Sequence, residues 1–399
     1  MAKNRLFGFG EPLTAREAAE GVAAEKLLEL ADAVGFGAWR AWMHIPDLLE
    51  NPTTPKHSQI ERYTKLLEKA SQLDIEVMGM SHDWFLPEGC KQSQGCAVPT
   101  RDLTPGSLYM QMLHMLEESW LTLVTCFPQV TMWQVGNEWN SHTFLHPDGF
   151  LQSDMKDPFT IDEKMDIAVD MMYFSAKGIR RANPQAKVVS FSPCPLFPTM
   201  GGDLPYYMPM QYAIAQSLDR VYSRIVSGKF WSEKTDDYFD MLSWHPYMFC
   251  MELDKIQSYD EVSYKFDEPG DLWKDYSDAA YRVMRKYGDG HKKVLLTEFG
   301  FTDCGKPEVE ARQAEYYRKV FELCKKMPYI HTVHVFRLLE DTAMLDRGGD
   351  HQIGGLSEVY FGMFKESKHE FAPRKKAIVL QELAGGTEDL FSVGRRIIG

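Results

Sequence analysis

No stretch of the 399-residue chain reaches about 18 uninterrupted apolar residues, so the sequence offers no membrane-spanning helix. Its first residues, MAKNRLFGFGEPL, lack the apolar run of a secretory signal, and a cytoplasmic location is expected. Runs of basic residues are missing as well. With 44 Lys and Arg against 57 Asp and Glu the formal charge is −13, which argues against nucleic acid and anionic membrane as partners. The seven cysteines, at 90, 96, 126, 194, 250, 304 and 324, are odd in number and scattered without CxxC spacing. They fit reduced thiols better than a disulfide framework or a structural zinc site. Linkers, low-complexity segments and repeats are absent too, and what remains is an ordinary globular composition, 44% hydrophobic and 25% charged.

What is present is alternation. Short apolar runs suited to buried parallel strands recur at Arg5–Gly8, Ala38–Met43, Glu76–Ser81, Thr131–Gly136, Lys187–Phe191, Met241–His245, Lys293–Thr297 and His331–Phe336, eight in all. Helical periodicity fills the gaps, most clearly over Ser58–Leu73, Gln211–Gly228, Asp271–Tyr287, Pro307–Lys326 and Arg374–Leu383. Thr14-Ala-Arg-Glu17 and Thr160-Ile-Asp-Glu163 have the spacing of capping boxes, and Thr104-Pro105 that of a helix start. Eight such repeats predict an α/β protein, a (β/α)8 TIM barrel forming a single domain over residues 1–399. An open doubly wound sheet is the alternative, but Gly8-Phe-Gly10 runs on into Glu11-Pro12 and not into a glycine-rich phosphate turn. A plain barrel uses about 250 residues, which leaves well over about 100 for insertions. Segments 83–103, 139–159, 192–210, 246–270 and 338–363 all follow strands, so the excess is expected as long loops on the rim where such barrels carry their active sites.

Two strands end on glutamate. The fourth reads Thr131-Met-Trp-Gln-Val-Gly-Asn-Glu138, and the seventh reads Lys293-Val-Leu-Leu-Thr-Glu298. A carboxylate closing an apolar run costs desolvation unless something compensates, and two of them on facing strands form a specific arrangement. Glycosidic bond cleavage needs such a pair, one protonated to donate to the leaving oxygen and one ionised to attack or to stabilise the anomeric carbon. In the sixth strand, Ser243-Trp-His245-Pro-Tyr247 puts a histidine and a tyrosine two residues apart, on one face of an extended segment.

With Asn137-Glu138 closing the fourth strand and Glu298 closing the seventh in a Thr-Glu-Phe-Gly setting, the sequence resembles clan A of the glycoside hydrolases, the retaining barrel enzymes that include families 5 and 39. The resemblance implies that Glu138 is the acid/base, Glu298 the nucleophile, and Asn137 a ligand of the sugar 2-hydroxyl. It also implies that Arg40, in Gly37-Ala-Trp-Arg40, keeps Glu298 ionised. His82, in Gly79-Met-Ser-His82, would lie in the glycone subsite, Tyr247 would hydrogen-bond the nucleophile, and His245 would stand near the acid/base. The stretch Glu358-Val-Tyr-Phe-Gly362 and the later Phe371-Ala-Pro-Arg374 resemble the clan's usual ending. One position departs from the pattern. Where the clan usually has a tryptophan platform at the end of the eighth strand, His331-Thr-Val-His-Val-Phe336 has Phe336, which stacks on a sugar with less area.

The resulting expectation is a retaining β-glycosidase acting on β-linked glycosides or short oligosaccharides, exo-acting, with an endo-β-glycanase on the same machinery as the alternative. Carbohydrate is the expected partner, and the reaction requires no metal or organic cofactor. A metal-dependent hydrolase is disfavoured by the first strand, Arg5-Leu-Phe-Gly-Phe-Gly10, which has no H-x-H pair. A silent sugar-binding barrel is disfavoured by the presence of both glutamates. Trp39, Trp42, Trp84, Phe85, Trp139 and Trp244 fall at strand ends, and about half of them are expected to meet the ligand, Trp84 and Trp139 among them. Trp120, Trp231 and Trp273 look like packing residues, and the 22 methionines like core filler.

Overall fold

Runs that are apolar on both faces have no solvated side to turn outward, so they assemble as parallel strands covered by helices. In the computed structural model, which describes residues 3–150, 158–195, 212–247, 269–301, 307–340, 352–353, 356–366 and 370–398, eight such runs form one sheet. They are β1 (Phe7–Gly10), β2 (Ala38–Trp42), β3 (Glu76–Ser81), β4 (Met132–Val135), β5 (Lys187–Val189), β6 (Leu242–Trp244), β7 (Val294–Phe299) and β8 (Ile330–Phe336). The order is β5-β4-β3-β2-β1-β8-β7-β6, every pair is parallel, and a bridge between Val189 and Met241 joins the two ends. The sheet therefore closes as a (β/α)8 barrel. Met78, Met132, Val189, Met241 and Leu295 fill one layer of its interior, so some methionines do serve as core filler.

Around the barrel run α1 (Leu13–Glu20), α2 (Ala24–Val34), α3 (His57–Gln72), α4 (Leu108–Cys126), α5 (Ile161–Ala182), α6 (Tyr212–Ile225), α7 (Pro269–Lys286), α8 (Pro307–Cys324), α9 (Lys375–Ala384) and α10 (Leu390–Ile398). Among the described residues no helix is long and apolar enough to cross a membrane. The Thr160–Glu163 capping box at the start of α5 is present in full. Two other helix starts differ from expectation. Helix α1 begins at Leu13 after Pro12, and Thr14, already inside the first turn, spends its hydroxyl on Tyr63 at 3.0 Å. Helix α4 is capped by Ser107, whose Oγ accepts from the Met110 amide at 3.2 Å, while the Thr104 carbonyl receives the Ser107 amide at 3.0 Å. The first strand also lies later than expected, because Arg5 donates to the Gly37 carbonyl at 2.7 Å and closes the barrel's lower end from outside the sheet. Helix α10 was not anticipated; its interior Gly394 weakens the helical signal but lets the helix approach the Phe371 carbonyl, which a Cβ would meet at 2.1 Å.

Two loops on the rim fold against each other. The loop after β3 and the loop after β4 pair in parallel, Ala97 with His146 and Val98 with Pro147, and stand beside the end of β3, where Cys96 Sγ donates to the His82 carbonyl at 3.5 Å. Residues 151–157, 196–210, 248–268, 341–351 and 354–355 of the expected rim segments lie outside the described residues, as does the side chain of Trp273.

Candidate active site

β2 carries the fully buried Arg40, and a guanidinium out of water is tolerated only when its donors are paired. Its Nη1 donates to Glu298 Oε1 at 2.6 Å, its Nη2 to Asn137 Oδ1 at 2.6 Å and its Nε to Gln134 Oε1 at 2.7 Å. One side chain thus ties β2 to the ends of β4 and β7. Glu298 Oε2 accepts from the Tyr247 hydroxyl at 2.9 Å and lies 3.6 Å from His245 Nδ1. Burial alone would raise the Glu298 pKa, but the fields of His245 and Arg40 and the Tyr247 hydrogen bond outweigh it. The carboxyl is held below the ordinary glutamate range.

Glu138 is presented by a tight turn. Gly136 has φ +78° and Glu138 has φ +45°, both in the left-handed region. At Gly136 a Cβ would meet the Trp139 ring at 2.2 Å, so only glycine fits there. For Glu138 the conformation costs about 1–2 kcal/mol. Neighbouring bonds hold it: its amide donates to the Ser192 carbonyl at 3.0 Å, and its carbonyl accepts from the Ser141 amide at 2.7 Å. Asn140 then pins the loop after β5 by donating to the Cys194 carbonyl at 2.7 Å and accepting from its amide at 3.0 Å. Glu138 Oε1 and His245 Nδ1 share a hydrogen bond of 2.6 Å, and His245 Nε2 bonds the Thr297 hydroxyl at 3.0 Å. Glu138, His245 and Glu298 bring carboxylate and imidazole atoms within 4.8 Å of one another.

No protein-family model matches the chain, and no curated protein matches its sequence. Solved structures do match. A broad-specificity endoglucanase of family GH5-4 from Clostridium acetobutylicum superposes with a TM-score of 0.56 at 12% identity, covering 99% of this chain and 96% of that one. A family 39 glycoside hydrolase from the gut symbiont Bacteroides cellulosilyticus WH2 gives 0.55 at 14% identity, covering 96% of this chain. This chain spans 64% of that protein's length. A GH5_18 protein from Streptomyces cattleya, solved with GlcNAc, gives 0.55 at 14% identity and covers 96% of this chain and 80% of that one. The fold is that of the glycoside hydrolase barrels.

Within this glycoside hydrolase-like barrel, Arg40, Asn137, Glu138, His245, Tyr247 and Glu298 converge on one point. Phe336 ends β8 nearby, only 6% exposed, with its ring centroid 5.9 Å from that of Phe361, which in turn lies 6.0 Å from that of Tyr247. His82 stands at the end of β3, its ring 4.1 Å from that of His44, 6.0 Å from Trp42 and 5.2 Å from Phe144. Burial, then His44 and Arg40, push the His82 pKa well below the usual histidine value, and burial likewise lowers that of His44.

The aromatic expectation needs correction. Trp84 and Trp139, expected on the sugar, are 1% and 2% exposed. Trp84 donates its indole N–H to the Ala97 carbonyl at 2.8 Å, and Trp139 stacks on Phe191 at 5.6 Å under the Gly136 turn. Both support the rim from below. Trp39 and Trp244 are each 1% exposed, because alternation along a barrel strand turns the neighbour of an interior Arg40 or His245 outward toward the helices. Trp42 and Phe85 remain partly exposed. Trp120 and Trp231 pack as expected, the former edge-on to Trp133 and the latter stacked on Tyr173. Sequence reasoning missed His44, Gln134, Ser192 and Thr297. A polar residue inside an otherwise apolar strand, as with Gln134 and Thr297, was the available signal.

Proposed function

We propose that the protein is a retaining β-glycosidase that releases sugar from the end of β-linked glycosides or short oligosaccharides. The observation that carries this reading is the approach of the Glu138 and Glu298 carboxyls, with ligand atoms within 4.8 Å, one of them gripped by a guanidinium and a tyrosine hydroxyl. Retaining enzymes hold their carboxyls about 5–5.5 Å apart, whereas inverting enzymes leave about 6.5–9.5 Å for a water.

In this scheme the ionised Glu298 attacks the anomeric carbon while Glu138 gives its proton to the departing oxygen. Glu138 then takes a proton from the water that frees the sugar from Glu298. His245 suits both half-reactions, since its Nδ1 can give or accept the bond to Glu138 as that carboxyl loses and regains its proton. Asn137, oriented by Arg40, faces the sugar 2-hydroxyl in this reading, His82 the glycone, and Phe336 its apolar face. The paired loops after β3 and β4, closing one side beside His82, favour a pocket over an open groove and hence exo action.

A panel of aryl β-glycosides (gluco, galacto, manno, xylo, fuco and arabino) tests the reading. Manβ1-4GlcNAc belongs beside them because a similar GH5_18 barrel from Bifidobacterium longum was solved with it. NMR of the first-formed sugar should show the β anomer. The α anomer appearing first would overturn the two-step scheme, and internal cleavage of a soluble β-glucan would replace exo with endo action, as in the endoglucanase noted above.

A further inference from the structure

We propose that His44, His82 and Asp83 form a binding site for a zinc-class divalent cation on the β2–β3 side of the rim. Each of the three offers a ligand atom within 4.8 Å of the other two, and His82 Nε2 lies 3.8 Å from Asp83 Oδ1. Tetrahedral zinc, with bonds of about 2.0–2.1 Å, sets its ligands roughly 3.4 Å apart, so the ligand atoms would have to draw together to close on an ion.

A second observation points the same way. The Nδ1 atoms of both imidazoles are buried and have no hydrogen-bond partner, as does the neighbouring Trp42 Nε1. Buried polar atoms are ordinarily satisfied, and an unsatisfied ring nitrogen on each of two imidazoles whose centroids lie 4.1 Å apart suits a group that arrives from solution. The donor types select the ion. Two imidazoles and one carboxylate suit zinc and its neighbours, whereas calcium and magnesium require shells of oxygen.

The supporting contacts fix the ligands in place. Ser81 Oγ accepts from the Ile45 amide at 3.0 Å and donates to the Asp83 carbonyl at 2.9 Å, joining the backbones on either side of His44 and His82. Cys96 Sγ donates to Asp83 Oδ1 at 3.1 Å and orients that carboxylate. Such outer contacts hold first ligands to geometry. Three protein ligands leave one position open to water.

The site shares His82 with the glycone side of the proposed active site, but its test does not use turnover. Chelator-stripped protein titrated with Zn2+ alone in a calorimeter should bind one equivalent. His44→Gln and His82→Gln should each weaken that binding by about tenfold or more, while Glu138→Gln with Glu298→Gln leaves it unchanged. Co2+ alone should give the strong visible bands of a four-coordinate site in the wild type and lose them in the histidine variants. Asp83→Asn, at a side chain 32% exposed, is the second variant should a histidine change impair folding. Absence of zinc binding would overturn the proposal. Binding that survives both histidine changes and disappears with the two glutamates would overturn it as well, since the ion would then sit on Glu138 and Glu298.

Discussion

Where the strands begin, Arg5 pairs with Asp74 at 2.5 Å with side chains 31% and 46% exposed, and His331 with Glu76 at 3.4 Å with side chains 31% and 35% exposed. Where they end, Arg40 pairs with Glu298 at 2.6 Å with side chains 0% and 10% exposed. The same chemistry has different weight in the two places. Water screens the lower pairs, and such pairs contribute about 0–1 kcal/mol each. The upper pair sits in a network in which Gln134, Asn137, Tyr247 and His245 also take part, so losing one member strands a buried charge. The lower end closes the barrel with screened pairs, and the upper end holds its charges buried in a network.

The sharpest way to break this contrast is Glu298→Gln. Turnover of the best aryl glycoside should fall by on the order of 10⁴ or more, with the chain still folded by circular dichroism. Retained turnover would remove Glu298 as nucleophile. Arg40→Met comes next, with an expected loss of about 3–5 kcal/mol in denaturant unfolding because Glu298 is left buried without its cation. It also sharpens the electrostatic claim. A carboxyl with a depressed folded pKa is ionised above that value and is lost, with the stability and activity it supports, as pH falls through it. Removing Arg40 takes away one lowering influence while burial remains, so the Glu298 pKa rises. The acidic limb of kcat/KM should then move up by about one pH unit or more. A limb that stays in place would mean that Arg40 does not hold the charge of Glu298.

Gly136→Ala adds a Cβ against the Trp139 ring at a residue with φ +78°. Thermal unfolding should report a cost of about 1–3 kcal/mol together with reduced turnover, since the same turn aims Glu138. At the lower end, Glu76→Gln should change stability by less than about 1 kcal/mol and leave turnover unchanged. A larger effect there would erase the distinction between the two ends.

Much of the site was legible along the chain. Glutamate at the end of an apolar run is anomalous on its own, and His245-Pro-Tyr247 has the two-residue period of an extended segment, so these residues announced themselves locally. Gln134 and Thr297 were marked only as lone polar residues in apolar strands, a signal that carries no sign of the partner. The tryptophans misled for a related reason. Proximity to a strand end does not say which way a side chain turns, and Trp39 beside Arg40 faces the helices.

Local order, then, belongs to the sequence: the alternation of buried strands and amphipathic helices, the capping box at Thr160, and the residue types placed on the rim. These depend on neighbours a few positions away. Closure of the sheet through Val189 and Met241 belongs to the tertiary structure. So does the convergence of Arg40 and Glu298, 258 positions apart, together with Glu138 and His245. The pKa of Glu298 and the unsatisfied imidazoles of His44 and His82 follow from it too, because burial and charge are set by what packs against a side chain in space.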